Sequence, residues 1–529
     1  TTVTITTPTA HDLEPGDLLT FDNAGSFTGG QTSYTAIDFD DILFEVQLAP
    51  TTSTFTILMP TAETGTGATN DGTLDSKPYY KIGPLQQAFG YGFGTGLYGA
   101  STWGTPRTTS TAILDPASWS LDNYGELLIA TIKNGATFSW DPDGGSGITA
   151  RATILSGAPT RSVMSMVSDR DRHLIILGTE TTIGSASTQD KMFIRFSDQE
   201  SLTDYTATSV NTAGSFRIDS GTKIVGAAKA KDYILILTDT SAYLMQFVGP
   251  PFTFSIRQVG SNCGCVGQHS IVYANGAVYW ISDTGGFFMF DGTVKALPSL
   301  VEDFVFQTND NAPGFNFANG SELTYAAHNS LFSEISWFYA SSTSSYINRQ
   351  VTFNYAEQTW TTGSLARTTF TDTHLFDQPI ATEFDVNFTP TTPTIQGVSN
   401  GASRVFNHEI GTNQVLADGT TTAVPAFITS GDFDLDAQGD GEYFIKLRRF
   451  IPDFKYINGN AKITITTRDY PAQTQGSSPL GPFTINSSTD KVDTRARARL
   501  AAVKVENDGL NESWRFGQFR FDIQPDGRR

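Results

Sequence analysis

One phrase recurs along this chain: an apolar strand, a tight polar turn, and a second strand that ends in an aromatic residue beside an aspartate. It spans residues 126–141 around Asn134-Gly135 and residues 270–292 around Asn275-Gly276. Equivalent points of the stronger and weaker copies lie 45 to 65 residues apart, at Trp140, Phe196, Met245, Phe290 and Tyr355. Short strands repeated at roughly 40–50 residues are typical of propeller blades, so the repeat predicts a β-propeller. Propellers serve many functions, so the repeat leaves function open.

The composition favours an all-β chain without a membrane anchor. Glycine (49 residues), phenylalanine (38) and tyrosine (18) are abundant, and sustained helical periodicity is almost absent. The strongly apolar stretches have the length of single strands, well below the roughly 20 residues of a membrane-spanning helix.

Changes in composition and strand pattern divide the chain into three predicted parts. Residues 1–80 alternate like the strands of a small β-sandwich or barrel. Residues 81–420 hold the propeller repeat, preceded by a Gly/aromatic lead-in loop at 89–104. Residues 421–529 contain further strand patterns and predict a C-terminal β-sandwich-like domain.

The net charge of −20 argues against a protein that grips nucleic acid by neutralising phosphates. The charge is uneven, because residues 1–80 hold eleven acids and one base while residues 491–529 hold nine bases and six acids. A large acidic surface opposes binding to DNA, and it equally suits plain solubility.

Three arginines alternate with small residues near the C-terminus, at Arg495, Arg497 and Arg499. A strand would place them on one face, whereas the apolar residues of 492–503 also fit a helical stripe. The alternation continues through Val503-Lys504-Val505, so a strand is favoured. These arginines could meet DNA phosphates or an acidic neighbour. The overall negative charge and the lack of interleaved aromatics favour protein–protein pairing.

Residues that often carry catalysis are present without the spacing that catalysis needs. The six histidines are scattered, and no G-x-S-x-G, H-E-x-x-H or Walker A sequence occurs. Residues 94–99 match G-x-G-x-x-G, but their flanks are glycines and aromatics rather than a strand and a helix. Two thiols alone cannot complete a metal site, so we do not expect Cys263 and Cys265 to bind a metal. We interpret them as two small residues of a tight loop.

Carboxylates give two further hypotheses, and neither has a specific motif. Ser282-Asp283-Thr284-Gly285 is similar to half of a sialidase Asp-box, and paired carboxylates could hydrolyse glycosides. The acids of 141–144 and 432–440 alternate as in a calcium loop, but neither segment has the closing glutamate. We therefore expect no catalytic residues, no metal and no cofactor.

Several segments, in order, resemble the tail tubular or nozzle proteins of short-tailed phages (podoviruses), including the packaged-DNA stabilisation type. The similarity covers most of the chain. It lies in the segments 9–17, 101–104, 119–130, 263–267, 277–280, 285–292, 297–306, 494–497, 514–517 and 524–529.

The resemblance implies a non-catalytic virion protein that forms a ring of six copies, joins the portal–adaptor assembly to the tail tip and encloses the DNA exit channel. The implied partners are other copies, the portal and adaptor, tail fibres, and double-stranded DNA passing non-specifically. The protein would be made in the host cytoplasm and reside in the phage tail. Arg495, Arg497, Arg499, Tyr98 and Trp103 are the candidate channel or interface residues.

The resemblance also implies sequence ahead of residue 1, which leaves the number of blades open. The alternative from another class is a carbohydrate-binding or glycosidase-type propeller, such as a tail adhesin. A hub protein of a long-tailed phage or gene-transfer agent is a third hypothesis. If the acids of 1–80 face DNA and the three arginines do not, acidic walls would let DNA pass without sticking.

Overall fold

The computed structural model describes residues 2–11, 13–25, 27–28, 34–40, 42–59, 69–70, 75–79, 86–89, 110–113, 118–144, 150–307, 313–373, 376–385, 394–395, 402–416, 419–434, 443–470 and 479–527. The chain is 53% β-strand and 3% helix, which confirms the all-β prediction. The described helices are α1 (Glu302–Phe306) and three 3-10 turns, at Ala36–Asp38, Ala186–Thr188 and Gln268–Ser270. The chain forms two compact units, residues 1–408 and 409–529, and the predicted boundary at 420 lies within the second.

The N-terminal residues of the first unit build a sheet with its own core. Its strands are β1 (Thr2–Thr6), β2 (Leu18–Asp22), β3 (Phe27–Thr28), β4 (Ile42–Thr51), β5 (Thr54–Leu58), β6 (Thr69–Asn70) and β7 (Asp75–Tyr79). Their order is β1-β5-β4-β2-β7, and β3 pairs with β6. Leu19, Phe21, Phe44, Phe55 and Ile57 are buried in one cluster. Farther along the chain, β8 (Gln86–Phe89) pairs with β9 (Ser110–Ile113).

Five four-stranded antiparallel sheets follow, each made of four consecutive strands. The first two comprise β10 (Trp119–Tyr124), β11 (Leu127–Ile132), β12 (Thr137–Trp140) and β13 (Thr153–Ile154), then β14 (Met164–Ser168), β15 (His173–Leu177), β16 (Phe193–Phe196) and β17 (Gly214–Arg217). The third comprises β18 (Ile224–Lys229), β19 (Ile234–Thr238), β20 (Ser241–Gly249) and β21 (Thr253–Ser261). The fourth and fifth comprise β22 (Ile271–Ala274), β23 (Ala277–Ile281), β24 (Phe287–Phe290) and β25 (Val294–Ala296), then β26 (Thr324–Asn329), β27 (Glu334–Tyr339), β28 (Arg349–Asn354) and β29 (Thr359–Gly363).

Consecutive sheets pack face to face, and this explains the apolar runs of the repeat. Along β19, Ile234 and Ile236 belong to the core shared with the second sheet, while Leu235 and Leu237 belong to the core shared with the fourth. A strand buried on both faces reads as continuously apolar rather than alternating. The first strand of each sheet also lies beside the first strand of the next. This is the arrangement of successive propeller blades, and closure into a ring stays a prediction.

A sixth, three-stranded sheet ends the first unit. It contains β30 (Thr369–Thr371), β31 (Ile380–Asp385) and β33 (Ala402–Asn407). Between its last two strands, β32 (Thr394–Ile395) pairs in parallel with β4 of the N-terminal sheet. Arg151, just ahead of β13, forms ion pairs with Glu14 and Asp17. The N-terminal sheet is therefore tied both to the first four-stranded sheet and to the excursion from the sixth.

The second unit is a sandwich of two antiparallel sheets. A hairpin of β34 (Asn413–Val415) and β35 (Thr421–Ala423) precedes it. One sheet has the order β36-β41-β38-β39 and the other β40-β37-β42. The strands are β36 (Ala426–Thr429), β37 (Ile445–Asn458), β38 (Ala461–Arg468), β39 (Leu480–Ile485), β40 (Val492–Ala498), β41 (Leu500–Asn507) and β42 (Ser513–Pro525). Leu447, Phe450, Ile463 and Val505 from the two sheets share one core, as the predicted sandwich requires.

Candidate functional site

Arg495 and Arg497 lie on β40 and Arg499 directly follows that strand, so the alternating interpretation is confirmed and the helical one is wrong. In β40 the side chains of Ala496 and Ala498 are buried, while Arg495 and Arg497 are exposed. Side chains alternate between the two faces of a strand, so the small alanines face the sandwich core and the arginines face outward.

The three arginines do not act as one patch. The guanidinium of Arg497 lies 4.0 Å from the ring centroid of Phe444, and that of Arg499 lies 4.9 Å from the same ring. Arg497 Nε also donates to Asp526 Oδ2 at 2.7 Å. Cation–π contacts contribute about 0.5–1 kcal/mol each at exposed sites. Arg497 and Arg499 are therefore held against Phe444, and Arg495 has no such contact among the described residues.

The side of the β40-β37-β42 sheet that points away from the core is rich in cations. We call it the outer face, and it displays Lys446, Arg449, Ile451, Tyr456, Arg495, Arg497, Arg515 and Arg520. Arg515 stands between two core residues of β42, which fixes its outward direction. Arg449 lies 3.4 Å from Asp493 and 3.8 Å from Asp522. Within the described part of the chain, Lys446, Arg495 and Arg515 have no ion-pair partner.

Tyr98 and Trp103, the other two candidate interface residues, lie outside the described residues, as does the G-x-G-x-x-G match of 94–99.

A polar cluster joins the first sheet to the start of the fifth. Lys133 forms an ion pair with Glu322, and Ser118 Oγ donates to Glu322 Oε2 at 2.8 Å. Burial alone would raise the pKa of Glu322, but the hydrogen bonds from Lys133 and Ser118 and the charge of Lys133 outweigh it and lower the pKa. His269 lies nearby, and burial lowers its pKa. The carboxylate is therefore fixed in its charged form by residues from a distant sheet.

A second cluster joins the first three sheets. Lys229, at the end of β18, lies 3.0 Å from Asp122 of β10 and 2.9 Å from Asp169, which follows β14. Asp122 Oδ2 also accepts a hydrogen bond of 2.7 Å from Val167 N. Burial acts to lower the pKa of Lys229, but the two carboxylates outweigh it and raise the pKa. Sequence reasoning missed both clusters, because their members lie far apart in the chain and follow no local pattern.

The described histidines are tied into the fold, each in its own way. His173 is fully buried and its Nδ1 lies 2.7 Å from Ser197 O. His408 Nε2 accepts a hydrogen bond from Arg367 Nε at 2.8 Å, and burial together with the charge of Arg367 lowers its pKa to about 4. His11 Nδ1 accepts from the backbone of Leu13. His374 lies outside the described residues.

One serine, histidine and aspartate lie together without forming a nucleophilic triad. His328 Nδ1 lies 3.4 Å from Asp372 Oδ2, and its Nε2 lies 3.3 Å from the hydroxyl of Tyr355. Ser330 Oγ donates to Asp372 Oδ1 at 3.0 Å. A serine nucleophile needs its hydroxyl on the histidine rather than on the carboxylate, so this arrangement supports packing of the fifth and sixth sheets.

The cysteines are buried thiols. Cys263 and Cys265 are both 1% exposed. Burial raises the pKa of Cys263 to about 11 and that of Cys265 to about 12. Since the thiolate is the reactive form, these cysteines are packing residues at neutral pH.

The described residues contain no group of three or more histidines, cysteines or acids that could hold a metal ion. Asp432, from one of the two segments whose acids alternate as in a calcium loop, pairs with Arg468. Asp141, from the other, accepts a hydrogen bond from Asp143 N at 3.0 Å. A shallow cavity of about 260 Å³ beside Asp141 is lined by residues of the first sheet and its loops. Asp141 is the one carboxylate among those lining residues, so paired-carboxylate chemistry is not assembled there.

No helix among the described residues has the length and apolar character needed to cross a membrane.

Comparison with known proteins identifies no family. No family model matches the chain, and no curated protein matches it. A solved complex of S. cerevisiae Dbp5 with Nup159, Gle1, IP6 and ADP is similar to 55% of this chain and 73% of its own matched chain, with 9% identity and a TM-score of 0.33. A likeness at that TM-score indicates neither a shared family nor a shared activity.

Proposed function

We propose that this chain is a structural subunit of a phage tail nozzle, a ring that joins the connector to the tail tip and conducts and retains genomic DNA. The supporting observation is that ion pairs between distant parts of the chain join one sheet to another. Lys133 pairs with Glu322 and Lys229 pairs with Asp122. The sequence resemblance to nozzle proteins supports this role for the chain.

Stiffness is what such a role demands. Shared cores link each sheet with the next through the series of five, so a force on one sheet reaches its neighbours through close packing. Close-packed interiors have low compressibility and transmit strain. A subunit of this kind holds its shape while DNA under pressure lies beside it.

The charge distribution supports a conduit that does not bind DNA. Residues 409–529 contain sixteen acids and fifteen bases, so nearly all of the net charge of −20 belongs to residues 1–408. Duplex DNA gains affinity by releasing counterions to cationic surfaces, and an acidic wall offers no such gain. In this proposal acidic surfaces of the first unit face the DNA and repel it.

The proposed partners are other copies in a ring of six, the portal and adaptor, and tail fibres. The proposed location is the virion tail. Each ring contact would be heterologous, with one surface of a copy meeting a different surface of the next.

The test is the mass and symmetry of the purified protein. We expect native mass spectrometry to give a closed oligomer and electron microscopy to show rotational symmetry with an open centre. A protein that stays monomeric at all concentrations and is missing from purified virions contradicts the proposal. Specific capture on a glycan array by a monomeric protein would instead favour the carbohydrate-binding propeller.

A further inference from the structure

The outer face of the C-terminal sandwich carries more positive charge than its own acids neutralise. Arg449 pairs with Asp493 and Asp522, and Arg520 approaches Asp453 at 3.5 Å. Lys446, Arg495 and Arg515 have no ion-pair partner among the described residues. The surplus lies on all three strands of the sheet, so it belongs to the face and not to one end of a strand.

The same face exposes apolar surface between its charges. Ile451 is 42% exposed and Tyr456 is 52% exposed, and both lie on β37, the central strand. Tyr456 stands opposite Arg515 in the register of β37 with β42. Tyrosine and arginine beside exposed aliphatic groups are the residues that protein interfaces favour.

DNA fits this face poorly. Asp453, Asp493 and Asp522 are interleaved with the cations on the same surface, and phosphates laid across the sheet would meet these carboxylates. A flat, mixed face with a small positive surplus suits an acidic protein surface, where each acid and base can find an opposite partner.

The chain itself carries such a surface. Residues 1–80 hold eleven acids and one base, and that base, Lys77, pairs with Asp22. From outside the segment, Arg151 pairs with Glu14 and Asp17. By composition, residues 1–80 have a net charge of −10.

We propose that the outer face of one copy binds the acidic N-terminal domain, residues 1–80, of the adjacent copy. This inference rests on the proposed ring and names the surfaces that join its subunits. The contact is heterologous, since the basic and acidic surfaces are different parts of the chain, and such contacts repeat around a closed ring.

The direct test is carbodiimide cross-linking, which joins a lysine amine to a carboxylate that touches it. Equal amounts of ordinary and ¹⁵N-labelled protein are mixed, allowed to assemble and cross-linked, and peptides of mixed isotope composition are identified. We expect mixed cross-links from Lys446 to acids within residues 1–80. Lys462 is the control, because it lies on the other sheet and pairs with Asp508 of its own chain, so its cross-links should join residues of one isotope.

The second test reverses the surplus charge with the triple variant K446E/R495E/R515E. We expect the subunit concentration for half-assembly to rise about tenfold or more at low salt, because like charges then face each other. Wild-type assembly should weaken as ionic strength rises from about 0.01 to about 1 M, since the screening length falls from about 30 to about 3 Å. The neutral variant K446Q/R495Q/R515Q should assemble with less salt dependence. If circular dichroism shows that the charge-reversed variant is unfolded, the neutral variant provides the test of the interface.

The outcomes separate the two proposals. A wild-type protein that never assembles contradicts the nozzle ring. A wild-type ring whose mixed cross-links avoid Lys446, or whose assembly is unchanged in both triple variants, overturns the docking of residues 1–80 and leaves the ring intact. DNA binding by the wild type that both variants lose would also overturn it, by assigning the face to phosphates.

Discussion

The cluster around Glu322 allows a quantitative test of how the sheets are held together. Glu322→Gln keeps the shape of the side chain and an oxygen for Ser118, but it removes the charge that faces Lys133. The side chains of Lys133 and Glu322 are 25% and 21% exposed, so the burial of this pair is intermediate. An ion pair at the surface contributes about 0–1 kcal/mol, and breaking a fully buried pair costs about 3–5 kcal/mol. We therefore expect Glu322→Gln to lower the free energy of local opening by about 1–3 kcal/mol.

The assay is native-state hydrogen exchange, which reports the opening of individual segments. Amides of residues 118–135 and 319–324 should exchange faster in Glu322→Gln, while β19 in the third sheet keeps its protection. A double-mutant cycle with Lys133→Met isolates the pair, and we expect a coupling free energy of about 1 kcal/mol or more.

The effect should also depend on pH in a defined direction. The pKa of Glu322 is lower in the folded protein than its usual value, so its stabilisation is present above the unfolded-state value of about 4.3 and is lost as pH falls through the folded value. Glu322→Gln should lack this acid-dependent loss. Equal exchange in wild type and variant, or additive effects in the cycle, would refute the claim that this pair joins the first and fifth sheets.

Three further predictions concern other parts of the first unit and its C-terminal neighbour. The pKa of His408 is lowered to about 4, so stability should fall as pH drops from about 6.5 to about 4, by about 1–2 kcal/mol for this partly buried ring; thermal melts of His408→Gln should show a flatter pH profile. Gly264→Ala should prevent normal folding, because the new methyl group would lie 2.0 Å from a backbone oxygen, whereas Gly431→Ala has open space and should leave the melting temperature nearly unchanged. Cys263 and Cys265 should resist a thiol reagent at neutral pH and react in denaturant, and rapid labelling of the native protein would contradict their burial.

Local patterns predicted the strands well because the physics that makes them is local. Asn275 and Gly276 have φ values of 47° and 81°, the left-handed pair that a two-residue hairpin turn requires. The alternation of 495–499 likewise indicated a strand. The same alternation could not show that Arg497 and Arg499 lie against Phe444, which is distant in sequence.

The sequence could not predict the contacts that position whole sheets. Lys133 and Glu322 are 189 residues apart. In the sequence alone, nothing distinguishes either residue from a charged residue exposed to solvent. The outer face was equally hidden, since Lys446, Arg495 and Arg515 come from three strands. Their common surface depends on the strand order β40-β37-β42, and strand order follows from long-range packing.

The parallel pairing of β32 with β4 has a consequence for how the protein is made. Thr394 and Ile395 pair with Ile42 and Leu43, a part of β4 that β5 does not reach because β5 pairs from Val46 onward. The paired residues are 352 positions apart in the sequence, so at about 5–20 residues per second the ribosome needs roughly 20 to 70 seconds to supply the partner. The N-terminal sheet is thus completed only by a strand near the end of its own unit. Until then, the edge of β4 that later pairs with β32 has no strand beside it at Ile42 and Leu43. Pairing with β32 therefore requires that synthesis has passed the second strand of the sixth sheet, β31.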